Sequence, residues 1–81
     1  MKQHEAMVGR RVRLPSWYGV SEQDFVHQPV IRSLSYEHRP FSTQCLATVT
    51  WSVEVPVDGP PGGTRVERQD RVFPVHDLRP A

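Results

Sequence analysis

The longest regular pattern in the chain runs from Leu46 to Val55. Ala47, Val49, Trp51, Val53 and Val55 fall at alternate positions, with Thr48, Thr50, Ser52 and Glu54 between them. Period two is the signature of a strand with one buried face. Asp58-Gly59-Pro60-Pro61-Gly62-Gly63 follows. It supplies residues that accept positive φ and prolines that fix φ, as a hairpin loop requires. Thr64 to Phe73 then becomes the returning strand. Its run Arg65-Val66-Glu67-Arg68-Gln69-Asp70-Arg71 is polar enough for a sheet edge, with charges that discourage sheet-to-sheet association.

Upstream, the pattern predicts a first strand over Val8 to Leu14. Val8, Val12 and Leu14 share one parity, Arg11 and Arg13 take the other, and Gly9 marks a bend or a close backbone approach. Pro15 ends it. A second strand covers residues 29–36, where Val30, Leu34 and Tyr36 share a parity and Ile31 has the other. Between them, Pro15 to Pro29 is a long first loop. Ser21 with Asp24 three residues later resembles a capping box and predicts one helical turn near Glu22 to Val26. Glu37-His38-Arg39-Pro40 reads as a turn. Pro74 to Asp77 predicts one 3₁₀ turn, with Leu78 plugging the end of the core. Eight prolines spread along the chain argue against any helix longer than about two turns. The predicted core is Val12, Leu14, Val49, Trp51, Val53, Val72 and Leu78. Met1 to Met7 lacks periodicity and is expected to be a flexible tail, which leaves residues 8–81 as one domain.

Composition sharpens this picture. The 81 residues suffice for one domain, and a chain of that size buries about 60–65% of its unfolded surface, so the core is thin. Val supplies 12 hydrophobic residues against four Leu and one Ile, which favours strands. A net charge of +1 gives no strong field toward nucleic acid or membrane. The single cysteine, Cys45, excludes an intrachain disulfide. With no signal peptide and no apolar run of spanning length, the expected location is cytoplasmic and no membrane partner is expected.

The opener Val8-Gly9-Arg10-Arg11-Val12-Arg13, a long first loop, a hairpin and the closer Val72-Phe73-Pro74-Val75-His76-Asp77-Leu78 come in an order that resembles the SH3-like small β-barrel. The resemblance covers residues 8–80 and implies an all-β, partly open barrel with a C-terminal 3₁₀ turn. Both ends also resemble the type II plasmid dihydrofolate reductases, tetramers of such barrels with a site in a central pore. That resemblance would imply an oligomeric enzyme. Their closer, Val-Gln-Ile-Tyr-Pro-Val, is matched here by Asp70-Arg71-Val72-Phe73-Pro74-Val75, so Arg71 replaces the ligand-contacting amide and Phe73 the phenol. Leu14-Pro15 stands where that family has its lysine. The fold analogy is kept and the activity is not.

Catalytic chemistry finds no foothold. His4, His27, His38 and His76 lack metal-ligand spacing, and one thiol cannot complete a structural zinc site. Cys45 reads as a buried small hydrophobe rather than a nucleophile. No metal, cofactor or enzymatic activity is therefore expected. Two surfaces remain. Trp17 and Tyr18, between Pro15 and Gly19, are the kind of loop aromatics that anchor a protein partner, with Glu22 and Asp24 as a polar rim. The competing reading folds one of them, Trp17, back as a lid on a thin core. Arg11, Arg13, Arg65, Arg68 and Arg71 would make a nucleic-acid-binding face if the first and fourth strands were neighbours. Against it, Glu54, Glu67 and Asp70 interleave with the arginines and cancel their field. The preferred expectation is a small non-catalytic adaptor or accessory module that binds protein, with nucleic acid as the alternative partner and the oligomeric state open.

Overall fold

In the computed structural model, which describes residues 1–20 and 22–81, the chain is all-β, and among these residues the only helical pieces are 3₁₀ turns of three residues. The strands are β1 (Val12–Arg13), β2 (Phe25–Arg39), β3 (Ser42–Val57), β4 (Gly63–Pro74) and β5 (Arg79–Pro80). β2, β3 and β4 form an antiparallel meander, and β1 pairs with β5 in a second, two-stranded sheet. A bridge from Arg11 to Val30 links the two.

β3 holds the sheet together, as its alternation predicts. Cys45, Ala47, Val49 and Trp51 are buried on one face, and Thr48, Thr50 and Ser52 on the other are half-exposed. The register sets Phe73 of β4 opposite Ala47 and Ile31 of β2 opposite Val49. Val12, Leu14, Val75, Leu78 and Ala6 close over this face. The 3₁₀ turn Val75–Asp77 places Leu78 at full burial, as predicted.

Four expectations need correction. β1 is two residues long rather than seven. Gly9 takes φ +91° inside a turn, so the chain bends there, and its N–H donates to the Ile31 carbonyl at 2.7 Å. β2 begins at Phe25, earlier than predicted, and carries register shifts between Phe25 and His27, His27 and Val30, and Ile31 and Ser33. Each adds a residue to β2 and reverses its parity. The last shift puts Leu34 and Tyr36, opposite Ala47 and Cys45, on the same face as Ile31. Val72 faces Thr48 on the outer side and is 53% exposed, while Phe73 takes the core position at 1%. Val53 is only half-buried. Finally, from residues 1–7, Ala6 joins the core and Met1 packs against it, while Lys2, Gln3, His4 and Met7 stay exposed. Gln3–Glu5 makes a 3₁₀ turn, Ala6 is buried, and the Met1 ammonium donates to the Leu78 carbonyl.

The three central strands outrun the core at both ends. Beyond Tyr36 and Cys45, β2 and β3 continue as a two-stranded ribbon to a tip at Pro40-Phe41. Beyond Val53, β3 and β4 do the same toward the 58–62 loop. The molecule is therefore 55 Å long and 24 × 22 Å across, with a radius of gyration of 15.1 Å. A compact chain of this size would have about 12 Å. Among the described residues β1 and β4 are not paired, so the two sheets do not close into a barrel.

Candidate functional site

Pro15 leads into the 3₁₀ turn Ser16–Tyr18, closed by the Tyr18 N–H donating to the Pro15 carbonyl at 3.0 Å. Gly19 ends it at φ +77°, a conformation that favours glycine. Three residues per turn send neighbouring side chains about 120° apart. Two consecutive aromatics must therefore diverge, and here Tyr18 turns inward and Trp17 outward.

Tyr18 meets Phe73 edge to face at 5.4 Å and Trp51 at 5.6 Å between ring centroids. These are favourable geometries for ring quadrupoles. Phe25 extends the cluster by touching Trp51 at 6.5 Å. Trp17 lies 6.0 Å from Phe73 and 6.3 Å from Tyr18, yet remains 63% exposed. The lid is thus Tyr18, and Trp17 stands on it. The Arg71 guanidinium carbon lies 4.7 Å from the centre of the Tyr18 ring. The surface is an exposed indole on an aromatic base with a cation beside it, a combination common at protein-binding hot spots.

The other predicted residues lie elsewhere. Asp24 is exposed at the entry to β2 and lines a depression with Val26, Glu54 and Thr64, toward the 58–62 loop, whereas Trp17 sits on Phe73 near the other end of β4. The side chain of Glu22 and the capping expected of Ser21 fall outside the described residues. Arg11 and Arg13 line a cleft of about 260 Å³ with Leu14, Phe25 and Arg79.

The arginines of β4 are divided between two faces. Arg65 and Arg71 pair with Val55 and Val49 on the core side, and Arg68 pairs with Ser52 on the outer side. Period two also sets Arg65 and Arg68 each beside an acid two residues away, whereas Arg71 has Gln69 and Phe73 at those positions. Arg65 lies 3.6 Å from Glu67, and Arg68 lies 3.3 Å from Asp70, which Arg32 also approaches at 3.5 Å. A hydrogen bond from the Thr50 side chain, followed by the charges of Arg68 and Arg32, holds the Asp70 carboxyl below the ordinary aspartate range.

Two features escaped the sequence pattern. Phe73 is the hub that touches Trp17, Tyr18 and Trp51. Phe41 is fully exposed at the ribbon tip; its place after Pro40 between two strands was the available signal. Among the described residues, no three His, Cys, Asp or Glu side chains gather as a metal site would require. No helix among the described residues is long and apolar enough to cross a membrane.

Comparison with protein-family models, with curated proteins and with solved structures found no match to this chain.

Proposed function

We propose that this chain is a non-catalytic binding module that docks a protein partner through Trp17 and the surface around it. The observation that carries the reading is the large exposed indole, fixed by a short turn onto Tyr18 and Phe73. A rigid aromatic anchor offers contact area at little cost in rotamer entropy. Arg71, over the ring of Tyr18, can meet a carboxylate or a carbonyl on the partner.

The SH3-like architecture belongs to the same proposal. It is supported by the β2–β3–β4 meander, the pairing of β1 with β5 and the 3₁₀ turn between β4 and β5. The nucleic-acid alternative has less support, because Arg68 lies on the opposite face from Arg65 and Arg71.

The test compares capture from a host lysate by the immobilised chain with capture by Trp17→Ala. Proteins recovered with the parent and lost with a variant of unchanged melting temperature support the reading. A folded Trp17→Ala that recovers the same proteins ends it. Binding to single- or double-stranded DNA or RNA that weakens steeply with salt would favour the alternative.

A further inference from the structure

β4 is the outer strand of its sheet, and among the described residues no other strand adjoins its free edge. It spans 12 residues, long for an unprotected edge. Its central run is Val66-Glu67-Arg68-Gln69-Asp70-Arg71-Val72. Read outward from Gln69, the two halves complement each other: base against acid, acid against base, valine against valine.

This symmetry has a structural meaning. Opposite residues of an antiparallel pair turn the same backbone edge toward each other, so a strand pairing with its own copy has its two-fold axis through a residue. An axis at Arg68 sets that arginine against itself and Arg65 against Arg71. An axis at Asp70 sets two aspartates together. With the axis at Gln69, Arg68 faces Asp70, Glu67 faces Arg71 and Val66 faces Val72, while a neutral amide meets itself. The faces agree as well. Val66, Arg68, Asp70 and Val72 share the outer side, and Glu67, Gln69 and Arg71 share the side of Phe73. Opposite charges across a strand pair attract, and like charges repel. Val66 and Val72, 54% and 53% exposed, would cover each other.

We propose that two copies of this chain associate through antiparallel pairing of β4 with β4, on a two-fold axis at Gln69. The charges on this edge then do more than deter aggregation: they disfavour the neighbouring registers and permit this one. The contact is a single strand per copy, so it belongs with small, reversible interfaces. It does not use Trp17, although Arg71 belongs to both surfaces.

Sedimentation equilibrium of the full chain over about 1–500 μM, a range suited to weak association, should show a monomer–dimer equilibrium that weakens as salt rises. Gln69→Cys should oxidise to a disulfide-linked dimer, because directly opposite Cα atoms lie about 4.5–5.5 Å apart, within disulfide reach. Glu67→Cys should not, since its symmetry mate is four residues away along the strand, about 13 Å. Arg68→Asp and Asp70→Arg should each be monomeric and should form a heterodimer when mixed. Trp17→Ala should dimerise like the parent. A parent chain monomeric throughout the range, or cross-linking as efficient through residue 67 as through residue 69, overturns the proposal. Failure of the two charge variants to associate, with both folded by circular dichroism, does the same; if either unfolds, the cysteine pair decides.

Discussion

Arg71 covers the ring of Tyr18 from the solvent side, 4.7 Å from its centre, while Trp51 and Phe73 hold the same ring edge to face. Tyr18 is thereby a structural residue, although its sequence neighbour Trp17 is not enclosed.

The two aromatics should accordingly part company in stability. Tyr18→Ala should cost about 2–4 kcal/mol, from lost aromatic contacts and a residual cavity. Trp17→Ala should cost under about 1 kcal/mol, as for an exposed side chain. Urea melts of both variants read this directly. The reverse order would make Trp17 the lid and remove the anchor on which the docking proposal stands.

The same contrast separates Phe73 from Val72. Phe73 is fully enclosed opposite Ala47, and Val72 lies outside opposite Thr48. Phe73→Ala should cost about 3–5 kcal/mol. Val72→Ala should stay within about 0.5 kcal/mol in dilute solution. A large loss from Val72→Ala at concentrations where the chain is monomeric would contradict this register of β3 with β4.

Asp70 should leave a mark on acid stability. Its folded carboxyl ionises below its unfolded value, because the Thr50 side chain, Arg68 and Arg32 favour the carboxylate. A lowered folded pKa stabilises the native state at pH above the unfolded value, and that contribution is lost as pH falls through the folded one. Stability should therefore decline across the region below the ordinary aspartate range, and the decline should be shallower in Asp70→Asn. Thr50→Val should raise the titration midpoint of Asp70 followed by NMR. A midpoint at the ordinary aspartate value in the parent would rule out these contacts.

Much of the fold was legible in the chain. Alternation from Ala47 to Val55 marks β3, the Gly/Pro run marks the loop to β4, and Pro74 starts the 3₁₀ turn that buries Leu78. The aromatic pair Trp17-Tyr18 was legible as a candidate site, because no other loop carries two large rings together. Each of these is a local property, set by period, by φ or by residue type. Tertiary structure decided the rest. The extra residues in β2 brought Leu34 and Tyr36 onto the face of Ile31, which no strict alternation can foresee. The pairing of β4 with β3 chose Phe73 over Val72 for the core. The turn before Gly19 chose Tyr18 over Trp17 for enclosure. Met1 and Ala6 joined the core although the first seven residues have no period of their own. The sequence pattern says which side chains share a face; burial depends on what covers that face, and the covering segments come from distant parts of the chain.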